Sequence, residues 1–186
     1  MPGAAGCGAG FETCIFLTFN MTTIQLETTR FRHLLREFEP DILRIEVGDW
    51  SSLAEGARAV RFEVFVQEQQ IPLALEQDSA DADALHVLIR NRQHLPMATG
   101  RLLQASPGVG QIGRLAVRRE RRGGGLGKVA LKALMAAAAQ RGDREVMLHA
   151  QTSAQSFYTA QDFVTRGEPF LEAGIGHIEM VHQLED

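Results

Sequence analysis

Between Arg121 and Ala130 the chain reads RRGGGLGKVA, four glycines among two arginines and a lysine, with an apolar helical pattern behind them. Glycine has no Cβ, so successive backbone N–H groups there can converge on an anion. A helix that starts next to them adds its unpaired first N–H groups and the positive end of its dipole. Arg121, Arg122 and Lys128 add full charges. This is chemistry for a phosphate. A glycine-rich turn between solvated charges has the same composition, so spacing has to decide. A Walker loop, GxxxxGK[ST], would use Gly127-Lys128, but Arg122 stands at its first glycine and Val129 at its hydroxyl. A dinucleotide fingerprint, GxGxxG, begins at Gly123 and Gly125 and meets Lys128 at its third glycine. What remains is Arg122-x-x-Gly125-x-Gly127, or R-x-x-G-x-G.

Other residues offer proton chemistry. Tyr158 is the only tyrosine in the chain. A free phenol titrates near ~10, so it is a proton donor at neutral pH. A core aromatic beside Phe157 and Phe163 is the plainer reading. Glu68, Asp78, His86 and His177 are the candidate bases. His86 sits among Leu85, Val87 and Leu88, where a satisfied structural histidine is the commoner case, and His177 shares that ambiguity. Glu68, Glu76 and Asp78 would serve equally as solvated charges or as attractors of a cationic substrate. Arg61 and Arg114 fall inside apolar patterns, and an internal arginine is costly unless satisfied. Each is expected to meet a carboxylate, from the protein or from a substrate. No metal is expected: the six histidines are scattered, and His177 and His182 lie five apart on one strand, on opposite faces.

The elements that must position these residues follow from periodicity. ILRIEVG (42–48) reads as a strand. In the helix that follows, Ser51 or Ser52 is the expected cap and Glu55 lies in the first turn. Leu53, Ala57, Val60 and Val64 share one face of it. Pro72 ends it. EQDSADAD (76–83) reads as an acidic loop. Strands are expected at 84–90, 97–104 and 111–117. A helix from Leu126 then buries Ala130, Ala133, Leu134, Ala137 and Ala138 and stops at Gly142. A strand at 145–150, a short helix through Tyr158, and two strands in FVTRGEPF and HIEMVHQL complete the order β-α-β-β-β-α-β-α-β-β. That is a mixed sheet with a few helices, not a doubly wound one.

Composition bounds the classes. With 186 residues, 45% of them hydrophobic, the chain has enough for one core. A net charge of −4 excludes a nucleic-acid binder that works by overall basic charge. Cys7 and Cys14 both lie near the start, which leaves the rest without a disulfide framework or a cysteine nucleophile. No apolar run approaches the roughly 20 residues that span a bilayer, and the first residues carry no basic n-region. These features lead us to expect a cytoplasmic protein that contacts no membrane and no nucleic acid. Residues 1–40 are expected to be an N-terminal extension, with residues 1–20 disordered or upstream of a start at Met21, and residues 41–186 one domain.

The strand, basic link, R-x-x-G-x-G and long helix resemble the acyl-CoA-binding motif of the GNAT N-acetyltransferase superfamily. The resemblance runs over roughly residues 42–184, and SAQSFYTAQDF is similar to the family's later tyrosine-bearing motif. RFEVFVQEQQIP, IGRLAV and AGIGHIEM resemble the ElaA-like (YjcF-like) branch, although Gly176 stands where that branch more often has proline. The first of these is also similar, more weakly, to acyl-homoserine-lactone synthases. The resemblance implies an α/β (α+β) GNAT fold. Its mixed central sheet would have about six to seven strands with flanking helices, the fourth and fifth strands splayed. Leu115, Ala116 and Val117 would bind the pantetheine arm through their backbone. Arg122, Gly123, Gly124, Gly125, Leu126, Gly127 and Lys128 would hold the phosphates. Tyr158 would protonate the departing thiolate, with Glu68, His86 or His177 as base or substrate contact. Acetyl-CoA would be the co-substrate. The acceptor would be a small-molecule amine or a protein lysine, attacking directly in a ternary complex, and the acidic segment 76–83 favours a cationic one. A homodimer is the family's habit. Two alternatives stand beside this: a non-catalytic acyl-CoA sensor, and a synthase of the acyl-homoserine-lactone type.

Overall fold

The computed structural model describes the backbone of residues 17–19 and 22–24, and residues 43–184 in full. Cys7, Cys14, Met21 and the remainder of the N-terminal stretch lie outside the described residues.

Two three-residue strands, β1 (Leu17–Phe19) and β2 (Thr22–Ile24), form a small antiparallel pair. β3 (Arg44–Gly48) lies parallel to β1. The chain then turns into α1 (Trp50–Arg61). Its cap is neither expected serine. The Asp49 carboxylate accepts from the Ser52 N–H at 2.9 Å, and the Ser51 hydroxyl donates to that same carboxylate. The cap has to be the residue that is still extended, and Asp49 (φ −75°, ψ 168°) is that residue after β3 ends. Glu55 consequently falls beyond the first turn. Leu53, Ala57 and Val60 are buried as their spacing predicts. Val64 is buried as well, but within a π-helical segment, Phe62–Glu68, where the Gln69 N–H donates to the Val64 carbonyl. A four-residue helix, α2 (Leu73–Glu76), follows Pro72.

β4 (Leu85–Arg90), β5 (Pro96–Ser106) and β6 (Val109–Val117) form an antiparallel meander. α3 (Leu126–Arg141) is bounded by Gly125 and Gly142, both left-handed, at φ 83° and 90°. β7 (Glu145–Gln151), α4 (Gln155–Thr159), β8 (Val164–Glu172) and β9 (Ile175–Gln183) finish the chain. The sheet order is β2-β1-β3-β4-β5-β6-β7-β9-β8. From Arg44 onward it is the expected seven-strand mixed sheet. β1 and β2 extend its β3 edge.

The alternation of β4 divides the core. Val87 joins the cluster under α3, while Leu88 lies beneath Gly56 of α1 on the other face. α1 packs on β4, β5 and β6, and α3 covers β3 to β6. The face of α3 inferred from spacing is buried, and Val129, Leu131 and Met135 widen it. Between β6 and β7 the pairing is parallel and stops early, running only from Val109↔Glu145 to Gln111↔Met147. Beyond Gln111 the two strands part. These are the fourth and fifth of the seven strands, the pair expected to splay.

Candidate functional site

Where β6 leaves β7, a cavity of about 870 Å³ opens. Its size is that of a pocket for one sizeable organic ligand. Leu115, Ala116 and Val117 form one wall. On one side their strand is laddered to β5, through Thr99↔Ala116 and Ala98↔Val117; on the β7 side it has no partner among the described residues. An unpaired strand edge presents N–H and C=O groups in a row, ready for an extended ligand. Just before it, Arg114 has φ 50°, and the β5–β6 register shifts across it. This bulge re-aims the strand at the cavity.

The glycine loop forms the next wall. Gly123, Gly125, Leu126, Gly127 and Lys128 all line the cavity, and Gly124 does not. Gly123 (φ 80°) and Gly125 (φ 83°) hold backbone conformations that side-chain-bearing residues resist. The first N–H of α3 to reach a helical acceptor is that of Val129, bonded to the Gly125 carbonyl at 3.0 Å. The N–H groups before it stand at the cavity with the helix dipole behind them. Arg121 also lines the cavity, and its buried Nε has no hydrogen-bond partner among the described residues. Unpaired N–H donors, an orphaned guanidinium nitrogen and Lys128 together fit a phosphate-bearing ligand.

Arg122 lines the same wall but is engaged. It grips both oxygens of Glu68 at 2.6 and 2.7 Å and donates from Nε to the Val117 carbonyl at 3.0 Å. It braces the loop against the π-helical segment and β6. The hydrogen bond from Arg122 holds the Glu68 carboxyl below the usual carboxylate range. Glu68 itself does not line the cavity, and both its oxygens are taken by Arg122.

Tyr158, on α4, also lines the cavity. Phe157 and Phe163 meet its ring edge-on at 4.9 and 5.8 Å, and its hydroxyl has no hydrogen-bond partner among the described residues. Burial pushes its pKa up to about 12. Its ring packs on the core, and the raised pKa keeps the phenol protonated at neutral pH. His177 lines the cavity too, with Nδ1 2.9 Å from the Ile175 carbonyl and its ring stacked on Phe170. His86 does not. It is 1% exposed, lies against Trp50, and its Nε2 is 2.9 Å from the Asp81 carbonyl. Burial lowers its pKa. As a candidate base it is corrected to a structural residue.

Arg61 and Arg114 find their carboxylates inside the protein. Arg61 bonds Glu76 and, at 2.9 and 3.0 Å, Asp81. Arg101 bonds Asp78 and Asp81, and Arg114 bonds Asp78 and two carbonyls of α2. Burial opposes ionisation of Asp78 and Asp81, but their arginine partners outweigh it and hold both pKa values low. Three of the four acids in segment 76–83 are thus matched by three arginines.

Some cavity residues had no signal in the sequence. His149 and Gln151 project from β7, where the splay exposes them, and Gln151 bonds Gln69 at 2.9 Å across the opening. Phe65 and Gln69 reach the cavity because the π-helical segment widens the end of α1. Among the described residues, no group of three or more His, Cys, Asp or Glu side chains is placed to hold a metal ion, and no helix is long and apolar enough to cross a membrane.

Comparison with known proteins agrees with this geometry. A sequence model of the acetyltransferase (GNAT) domain matches residues 52–184. The uncharacterised N-acetyltransferase YjcF of Bacillus subtilis is 36% identical over 123 residues, covering 66% of this chain and 86% of its own length. The crystal structure of an acyl-CoA N-acyltransferase from Pseudomonas aeruginosa is 33% identical and superposes with a TM-score of 0.66, over 75% of this chain and 98% of that one. Escherichia coli ElaA, 26% identical, covers 75% of this chain and 98% of its own with a TM-score of 0.67. The splayed sheet, the glycine loop on a helix start and these matches lead to one assignment: the chain belongs to the GNAT acetyltransferase family.

Proposed function

We propose that the protein moves an acetyl group from acetyl-CoA to an amine, a small molecule or a protein lysine, by direct attack in a ternary complex in the cytoplasm. The observation that carries this reading is the meeting of three features at one cavity. These are the unpaired β6 edge, the N–H groups and cations of the glycine loop, and the unpartnered phenol of Tyr158. Phosphates would lie against Gly123–Lys128 and Arg121, and the pantetheine arm along Leu115–Val117 as an added strand. A backbone N–H of that edge would stabilise charge on the thioester oxygen. The phenol would protonate the thiolate as the C–S bond breaks.

The test compares melting temperatures with acetyl-CoA, CoA, ATP and NADH, beside thiol release by wild type and Tyr158→Phe. A ligand at 100 times its Kd adds about 2.7 kcal/mol to a fold that alone binds it. We expect CoA and acetyl-CoA alone to raise Tm, and Tyr158→Phe to keep that shift while losing on the order of 10²-fold or more in kcat. Stabilisation by ATP or NADH alone would overturn the donor. Turnover unchanged in Tyr158→Phe would remove Tyr158 as the acid, and binding without turnover in wild type would make the protein an acyl-CoA sensor.

A further inference from the structure

At neutral pH an alkylamine arrives as an ammonium ion, and it attacks only after losing a proton. Glu68 is tied to Arg122, Asp78 lines the cavity but is paired with Arg101 and Arg114, and His86 is buried away from it, which leaves the histidines of the cavity wall as proton acceptors. His149 projects from β7 into the cavity, on the strand that parts from β6. Its Nδ1 is 3.3 Å from Glu172 Oε2, and its Nε2 is 3.9 Å from Glu179 Oε2. Phe170 meets its ring edge-on at 4.9 Å and so fixes the ring plane. The two carboxylates differ. Glu179 is bonded by Arg166, which also pairs with Glu145, so its charge is matched. Glu172 has His149 as its only ionic partner among the described residues, and it lines the cavity itself. A carboxylate on one ring nitrogen sets the tautomer and supports the positive charge that forms when the other nitrogen takes a proton.

We propose that His149, oriented by Glu172, is the base that deprotonates the acceptor ammonium; this rests on the acyltransferase reading above. The ammonium proton passes to His149. The freed lone pair forms the N–C bond at the thioester carbonyl, the C–S bond breaks, and sulfur keeps the electron pair and takes the Tyr158 proton. The proton that nitrogen sheds as it becomes an amide restores the phenol, so one proton per turnover leaves through His149. The groups facing the imidazole are Glu172 from β8 and Glu179 from β9, the latter with Arg166, and His177 lies on the far side of Phe170. His177 is the competing base, but its Nδ1 is used by a backbone carbonyl and no carboxylate pairs with it among the described residues.

The experiment sets two kinds of amine against each other. Hydroxylamine is largely uncharged at neutral pH and needs no base, whereas primary alkylamines, polyamines and lysyl peptides are charged. Thiol release from acetyl-CoA is followed for wild type, His149→Asn, Glu172→Gln and His177→Asn, with acetyl-CoA affinity measured by calorimetry. We expect His149→Asn to lose on the order of 10²- to 10⁴-fold in kcat with charged amines, to keep its rate with hydroxylamine, and to keep its acetyl-CoA Kd. Glu172→Gln should show a smaller loss of the same kind. Equal losses with both kinds of amine would make His149 structural and overturn the proposal while transfer stands. A selective loss in His177→Asn alone would give the role to His177. Wild type that binds acetyl-CoA yet releases no thiol with any of these amines would overturn the transfer reading itself.

Discussion

At the scale of single residues, the same side-chain types sit in opposite roles, and burial decides which. His86 and His149 are both strand histidines. His86 is sealed under Trp50, and burial holds its folded pKa below the ordinary value of 6.5. In the unfolded chain it binds a proton near 6.5, so between the two values the unfolded state holds more protons and stability rises with pH. The contribution is complete above about 6.5 and is lost as pH falls toward the folded value. We therefore expect Tm to fall between about pH 7.5 and about pH 5.5, and His86→Gln, followed by circular dichroism, to show a shallower fall. A slope unchanged by the substitution would mean that another group carries it. The sequence marked His86 and Tyr158 by residue type, yet only the fold separated a histidine buried away from the cavity from a tyrosine in its wall.

At the scale of elements, the phosphate binding proposed for the glycine loop depends on how α3 begins. Gly125 stands at its N-cap with φ 83° and makes no side-chain cap, so the first turn keeps its N–H groups for a ligand. Alanine at that position must either strain the left-handed backbone, at about 1–2 kcal/mol, or rotate the turn. Gly125→Ala should therefore weaken acetyl-CoA binding in calorimetry, on the order of tenfold for each 1.4 kcal/mol, while far-UV circular dichroism stays unchanged. An unaltered Kd would show that the loop does not hold the ligand through its backbone. The helix, its glycine stop and the bounding strands were legible because their periods and breakers are local. The π-helical widening at Phe62–Glu68 was not. Its register depends on how Val64 and the neighbouring Phe65 pack with Ala116 of β6, far along the chain.

At the scale of the whole molecule, a buried ionic network ties α1 to the segment after it and to the central strands. Arg61, 1% exposed, meets Glu76 and Asp81, Arg101 of β5 meets Asp81 and Asp78, and Arg114 of β6 meets Asp78. Glu76, Asp78, Arg101 and Arg114 also line the cavity, so the network forms its floor. Removing one partner of a buried pair typically costs 3–5 kcal/mol, because the other charge is left uncompensated. Arg61→Met should lower the unfolding free energy by about that amount in urea titrations. A loss under about 1 kcal/mol, the range of surface pairs, would show that water reaches the network.

The sequence by itself determined the order of the seven strands and three main helices from Arg44 onward, the backbone freedom of R-x-x-G-x-G, the family resemblance, and the need of Arg61 and Arg114 for partners. Each of these rests on local period, backbone freedom or the cost of an unpaired charge. Tertiary structure alone decided which charges are consumed and which are left over. It tied Arg122 to Glu68 across 54 residues and matched Glu76, Asp78 and Asp81 with three arginines. It also brought His149 to Glu172, 23 residues away, at the open end of β7. The reason is that pairing depends on distance in space, and β6 and β7 part at a point set by sheet register, which no spacing along the chain encodes.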